Sequence, residues 1–162
     1  MGSKKPFIES PFFDMTEKIC SNFLKEFNNQ VKWFKYLHEN RSGSIIDFSA
    51  VDIKDRCVSI ELKNRYIKWN QFPTTFIEMH KYAELTHKYA YYHAIPLYIN
   101  FFENGRFVAI WDLTKKIECS ITELDIYDKG HQTVYQKEQR ICLSNKDAIV
   151  YERQNNGYVR IQ

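Results

Sequence analysis

Cysteine and glycine are scarce in this chain of 162 residues, and their scarcity excludes several kinds of site. Its four cysteines are widely scattered, without a Cys-x-x-Cys pair, which argues against a zinc site. The five glycines form no phosphate-cradling loop, so nucleotide hydrolysis by a P-loop is not supported, and no Ser-His-Asp arrangement stands out. No apolar run is long enough to span a bilayer and no signal peptide is recognisable. We therefore expect a cytoplasmic protein with no membrane partner, whose cysteines stay reduced.

The composition fits one compact domain. Hydrophobic residues make up 44% of the chain and can fill a core of the required size. The net charge of +3 neither requires nor excludes nucleic acid, because a local basic groove is sufficient for binding. Asn, Lys, Ile and Tyr are frequent, a bias that an AT-rich phage or mobile element would produce.

A polar triplet between two apolar runs predicts a β-hairpin. Residues 44–53 are rich in Ile, Phe, Val and Ala, and residues 57–62 alternate around Val58 and Ile60. If Lys54-Asp55-Arg56 is a three-residue loop, position 53 faces 57, position 49 faces 61 and position 47 faces 63. A two-residue loop would reverse this parity, and a bulge could restore it.

The predicted hairpin brings charged groups together at its open end. Asp47, Glu61, Lys63 and Arg65 fall on one face, whereas Asp52 falls on the other face near the turn. Carboxylates bind hard divalent cations such as Mg²⁺ through oxygen, and a neighbouring lysine can position water or neutralise a phosphate. These groups are the minimum needed to hydrolyse a phosphodiester. The blander interpretation is a charged, solvated strand end.

Asp47, the string Glu61-Leu62-Lys63 and the order of elements over residues 14–113 resemble the PD-(D/E)xK nuclease superfamily, which has the restriction-endonuclease-like fold. The resemblance implies a three-layer α/β/α architecture with a central mixed sheet. It implies one nuclease-like domain, with a core at about 14–113 and a small β-rich C-terminal extension at 114–162. The proline that often precedes the aspartate of this superfamily is replaced here by Ile46.

The same resemblance implies the chemistry of the site. Asp47 and Glu61 would bind Mg²⁺, with Mn²⁺ able to substitute, and the Leu62 carbonyl would be a further ligand. Lys63 would be the catalytic lysine of a deoxyribonuclease, with endonuclease favoured over exonuclease. RNA stays open as a substrate. The alternatives are a silent nuclease-fold protein that binds DNA or a protein partner, and a dimeric Holliday-junction resolvase of the same chemistry.

Other side chains near the hairpin are candidates for contacts with substrate or metal. Arg65 and Lys68 could hold phosphates, and Lys81 is the best candidate for contacting DNA from a helix. Trp69 could stack on a base or pack into the core. Glu17 could be an accessory acid, although the blander interpretation, that it favours a helix N-terminus, is preferred.

The remaining elements follow from periodicity. A first helix is predicted over 14–28, and 31–37 is predicted as a strand or a short helix. Pro73 and Thr74 are predicted to open a long helix with a capping box at 75–78. Strands are predicted at 94–102 and 106–111, so the helix permits a parallel crossover. The tail is predicted to be β-rich, with strands around Ile117 to Ile121, 133–135, 141–143, 148–152 and 158–161.

Overall fold

A computed structural model describes residues 11–41, 43–115, 119–127 and 134–162. The helices of these ranges are α1 (Pro11–Val31) and α2 (Met79–Tyr92), with a short 3-10 helix at Asn145–Asp147. The strands are β1 (Phe34–Glu39), β2 (Phe48–Asp52), β3 (Cys57–Arg65), β4 (Thr74–Glu78), β5 (Ile95–Phe102), β6 (Phe107–Asp112), β7 (Cys119–Tyr127), β8 (Val134–Ser144), β9 (Ile149–Gln154) and β10 (Gly157–Arg160). Within the described ranges, neither helix combines the length and apolarity needed to cross a bilayer.

The central sheet is mixed. Its seven strands lie in the order β1-β2-β3-β5-β6-β9-β10, and β3 and β5 are its parallel pair. The helix α2 connects these two strands, which confirms the crossover predicted from the sequence. A second, antiparallel sheet has the order β4-β8-β7.

Two apolar clusters cover opposite faces of the central sheet. On one face, Cys20, Leu24 and Phe27 of α1 pack against buried strand residues such as Ile60 and Ile99. On the other face, α2 and the second sheet contribute to a cluster with alternate residues of the same strands, including Tyr98 and Trp111. The structure thus confirms the predicted α/β class, with a central mixed sheet between layers.

The β2–β3 hairpin has the predicted loop length but a different register. Phe48 pairs with Ile60 and Val51 pairs with Cys57, so the positions predicted to face each other are shifted by two residues. The Asp52 amide donates to the Arg56 carbonyl oxygen at 3.0 Å, so the three-residue loop is 53–55 and begins one residue earlier than predicted. The Asp52 carboxylate stabilises this turn by accepting hydrogen bonds from the Lys54 and Arg56 amides. Since the shift is even, each side chain keeps its predicted face.

The predicted helix start at Pro73 and Thr74 is wrong. Thr74–Glu78 forms β4, which pairs with β8 from Thr74 opposite Ser144 to Glu78 opposite Arg140. The β-branched and aromatic residues of this segment suit a strand, and β8, distant in sequence, supplies the partner. Glu78 is consequently the N-cap residue of α2 and not the third residue of a capping box.

The C-terminal tail contributes to both sheets. β7 and β8 belong to the second sheet, whereas β9 pairs with β6 in the central sheet. Ile117 and Thr133, which belong to two of the predicted tail strands, lie outside the described residues. The division into a core at 14–113 and an extension at 114–162 stays a prediction.

Gly105→Ala should destabilise the fold through a close contact with α1. Gly105 has φ +76°, and an added Cβ would lie 2.9 Å from Cδ1 of Phe23. We expect the free energy of unfolding to fall by about 1–3 kcal/mol beyond the cost of the backbone conformation. Urea denaturation measures this loss.

Gly43→Ala is the matched control. Gly43 has φ +86°, but an added Cβ would meet nothing within 4 Å. The control therefore reports the backbone strain of the left-handed region alone. Equal losses in the two variants would contradict a packing role for Gly105.

Candidate active site

The hydrogen-bond ladder between β2 and β3 ends where β2 begins, at the pair Phe48 and Ile60. Asp47 lies at this end of the ladder, which we call the ladder opening. The last β2–β3 pair is Phe48 with Ile60, so the next inward-facing amide on β3, that of Leu62, has no partner from β2. The Leu62 amide donates a 2.7 Å hydrogen bond to Oδ2 of Asp47 instead. This bond fixes the Asp47 carboxylate at the edge of β3, beside Glu61.

Glu61 is buried on the face of β3 that α2 covers. Its Oε1 atom lies 2.6 Å from Nζ of Lys81, a residue in the first turn of α2. Its Oε2 atom is buried and has no hydrogen-bond partner within the described part of the chain. An unsatisfied buried acceptor costs about 1–3 kcal/mol, so the geometry favours a proton or a cation at this atom.

Asp47 and Glu61 are electrostatically coupled. Burial, followed by the charge of Asp47, raises the pKa of Glu61 well above its usual value, although Lys81 opposes the shift. Burial also raises the pKa of Asp47, against the opposing effects of the Leu62 amide, Lys81 and a hydrogen bond with the Glu61 side chain, which two carboxyl groups form only when one of them holds a proton. The two acids therefore resist ionising together unless a further positive charge joins them.

A second acid and base pair lies beside the first. Nζ of Lys63 is 3.5 Å from Oε1 of Glu78, and the Lys63 side chain is 43% exposed. Burial alone would raise the pKa of Glu78, but Lys63, Lys81 and Arg65 outweigh it, so the net shift is downward. Glu78 is therefore an ionised acid that anchors the lysine next to the carboxylate pair.

Arg65 lies on the same face of β3 but turns into the fold. Its Nη2 donates to the Phe76 carbonyl oxygen at 2.6 Å and to Oη of Tyr98 at 2.9 Å. Its Nε donates to Oδ1 of Asn100 at 2.8 Å. These bonds use Nε and Nη2, so a contact of Arg65 with DNA, which stays a prediction, would be made through Nη1.

The other predicted site residues are distributed around the pair. Lys68 is exposed in the loop after β3, whereas Trp69 packs on Phe102, with ring centroids 5.1 Å apart, and so belongs to the core. Glu17 is an exposed residue of α1, one turn before Cys20. Burial, and then the charge of Asp47, raise the pKa of the Cys20 thiol to about 12, which places this part of α1 near the acids.

Sequence reasoning did not assign Glu78 to the site and placed Lys81 on the DNA-facing surface. Both belong to the start of α2, three residues apart and therefore on neighbouring parts of one helix face. Their i, i+3 spacing was visible in the sequence. The strand that precedes α2, and hence the direction in which the helix start points, was not.

The residues at the ladder opening fit a divalent cation of the Mg²⁺ type. In the described ranges, no three His, Cys, Asp or Glu side chains converge as a closed metal cage. Mg²⁺ usually keeps several waters and binds through one or two carboxylates and substrate phosphate, so such a cage is not needed. Asp47 and the unpartnered Oε2 of Glu61 supply two carboxylates of this kind.

No protein-family model and no curated protein sequence matches the chain. The chain is similar to the 1.6 Å structure of Hjc, a Holliday junction resolvase from the archaeal hyperthermophile Archaeoglobus fulgidus. The identity is 11%, the TM-score is 0.45, and the match covers 74% of this chain and 84% of the other.

Arg65→Ala should destabilise the protein by about 2–4 kcal/mol, because it removes three internal hydrogen bonds of a charged group. Urea denaturation measures the change. Arg153→Ala is the control, since its 3.4 Å pair with Glu26 is largely exposed, and it should cost no more than about 0.5 kcal/mol. If both variants are equally stable, Arg65 does not brace the fold.

Stability of the protein without metal should depend on pH through the acids. The folded-state pKa of Glu61 is raised, so its favourable contribution is present below the unfolded pKa, about 4.3, and is lost as pH rises through the folded pKa. The pKa of Glu78 is lowered, so its contribution is present above about 4.3 and is lost as pH falls.

Glu61→Gln and Glu78→Gln should therefore respond to pH in opposite directions. In EDTA, Glu61→Gln should become more stable relative to wild type as pH rises above about 4.3, and Glu78→Gln should become more stable relative to wild type as pH falls below about 4.3. Thermal unfolding at a series of pH values measures both trends. Parallel trends for the two variants would contradict the charge arrangement described here.

Proposed function

We propose that this protein is a divalent-metal-dependent nuclease that hydrolyses phosphodiester bonds in DNA, with Mg²⁺ as the cation and Mn²⁺ able to replace it. One observation carries the proposal. The buried Oε2 of Glu61 has no partner in the described chain, and it belongs to a carboxylate coupled to Asp47 at the open edge of a strand. A divalent cation would bind to both carboxylates and supply the positive charge that lets them ionise together.

The proposed metal ligands are Asp47, Glu61 and the Leu62 carbonyl. In a strand, the carbonyl of a residue points to the same side as its amide, and the Leu62 amide points to Asp47. The Leu62 carbonyl is therefore directed into the same opening. When bound, the cation would act as a Lewis acid towards water and neutralise charge on the phosphate.

Lys63 is proposed as the residue that acts on the reacting phosphate. Lys63 follows Glu61 by two positions on β3, and its side chain is partly exposed. The 3.5 Å pair with Glu78 is long and the Lys63 side chain is 43% exposed, so the ammonium group can reach a phosphate oxygen in place of Glu78. In contact with the phosphate, Lys63 would orient the attacking water and stabilise the pentavalent phosphate.

Lys81 is proposed to hold Glu61 in place. Burial alone would lower the pKa of Lys81, but Glu61 and the other nearby acids outweigh it, so the ammonium group stays charged. Its 2.6 Å contact is with Oε1, whereas Oε2 of Glu61 has no partner among the described residues. Lys81, together with the exposed Lys68, would also attract the DNA backbone. Glu17 remains a proposed accessory acid on α1.

Lys63→Ala should reduce cleavage at least about 100-fold, because a preorganised charge at the reacting phosphate contributes about that much or more. Nicking of supercoiled plasmid, with Mg²⁺, with Mn²⁺ and with EDTA, measures the loss. Glu61→Ala should have an equal or larger effect. A Lys63→Ala protein that cuts as well as wild type would contradict the mechanism.

Lys25→Ala is the matched control for Lys63→Ala. Lys25 has a similarly exposed side chain and forms a comparable 3.3 Å pair with Glu39, but it belongs to α1. It should leave the nicking rate within about twofold of wild type, since loss of an exposed pair changes little. A four-way junction as a further substrate, with light scattering to detect a dimer, tests the resolvase alternative. A silent binding protein would bind these substrates without cutting them.

A further inference from the structure

A groove of about 370 Å³ lies between the edge of the central sheet and the C-terminal half of α2. Tyr36 and His38 of β1 contribute to its lining, as do Cys57 and Ser59 of β3. Lys88 and Tyr92 line it from α2. None of these residues belongs to the carboxylate and lysine pairs of the candidate active site.

The groove continues directly from the candidate active site. Successive residues of one face of β3 are Cys57 and Ser59 in the groove, then Glu61 and Lys63 in the site. The helix α2 lies over this face. Its Lys81 contacts Glu61, and its Lys88 lines the groove about 10 Å further along the helix.

The lining combines aromatic rings with positive charge. Tyr36 and Tyr92 are each 71% exposed, so the described chain leaves most of both rings uncovered. Among the described residues, the ion pair of Lys88 is a long one, 3.9 Å to Glu84. None of the described residues that line the groove is acidic. Exposed aromatic rings beside positive charge are the features with which proteins bind single-stranded nucleic acid.

We propose that this groove binds a single-stranded segment of nucleic acid that continues from the phosphate held at the Asp47 and Glu61 pair. The bases stack on Tyr36 and Tyr92, and Lys88 contacts the backbone. The inference rests on the proposed nuclease function and narrows its substrate class. The preferred substrate carries an unpaired stretch next to the bond that is cut, as a flap or a splayed end does.

Binding of fluorescein-labelled dT12, measured by anisotropy in EDTA, tests the groove without any cleavage. Tyr36→Ala and Tyr92→Ala should each weaken binding by about 5-fold to about 150-fold, the effect expected for the loss of one stacked base. Tyr92→Phe should bind like wild type, because phenylalanine retains the ring. The oligonucleotide rU12, used as a second probe, distinguishes a DNA path from an RNA path.

Tyr91→Ala is the matched control. Tyr91 has the same 71% exposure and is adjacent to Tyr92 on α2, but its ring lies 4.4 Å from that of His87 and it does not line the groove. It should change dT12 affinity by less than about twofold. Equal effects of Tyr91→Ala and Tyr92→Ala would overturn the proposal, as would absence of dT12 binding by the wild-type protein. Unchanged thermal unfolding of each variant confirms that the fold is intact.

Two further measurements separate the groove from its alternatives. If Tyr36→Ala and Tyr92→Ala instead dissociate a dimer in sedimentation velocity, with dT12 binding unchanged, the groove is an interface between two copies and the proposal is wrong. If the groove variants lose dT12 binding while wild type cuts no substrate in Mg²⁺, the groove proposal stands and the nuclease proposal fails. If wild type cuts but the groove variants bind and cut flapped DNA normally, the nuclease proposal stands and the groove proposal fails.

Discussion

A strand amide without a partner strand needs another acceptor, and at Leu62 that acceptor is the carboxylate of Asp47. The bond forms because β2 begins at Phe48, one residue after Asp47, so the ladder opens where the acid lies. It places a second carboxylate beside Glu61 at the edge of β3. The coupling of the acids depends on this opening, and so do the proposed metal site and the proposed position of the phosphate.

Acids and bases alternate around the opening, but the acids outnumber the lysines. Glu61 contacts Lys81 and Lys63 contacts Glu78, whereas the third acid, Asp47, accepts from the Leu62 amide. The two pairs differ in tightness, since the first is 2.6 Å long and buried whereas the second is 3.5 Å long and partly exposed. The short Glu61–Lys81 pair suits the proposed role of Lys81 in holding Glu61. The longer Lys63–Glu78 pair suits the proposed exchange of Glu78 for a phosphate oxygen.

The strand β4 directs the start of α2 towards β3. The Phe76 carbonyl accepts hydrogen bonds from Arg65 and from Oη of Tyr98, which holds β4 to the central sheet. This placement brings Glu78 into contact with Lys63 and Lys81 into contact with Glu61. The sequence predicted a helix from Thr74 because its local pattern matched a capping box, but pairing with the distant β8 decided the conformation.

Local pattern was sufficient to determine the α/β class, the hairpin, the parallel crossover and the common face of Glu61, Lys63 and Arg65. These features depend on the alternation of side chains and on the order of elements, and both can be inferred from the sequence. The exact register, the burial of Glu61, the inward turn of Arg65 and the approach of Lys81 depended on contacts between segments distant in sequence. Only the tertiary structure decided them, because desolvation and charge coupling arise when those segments pack together.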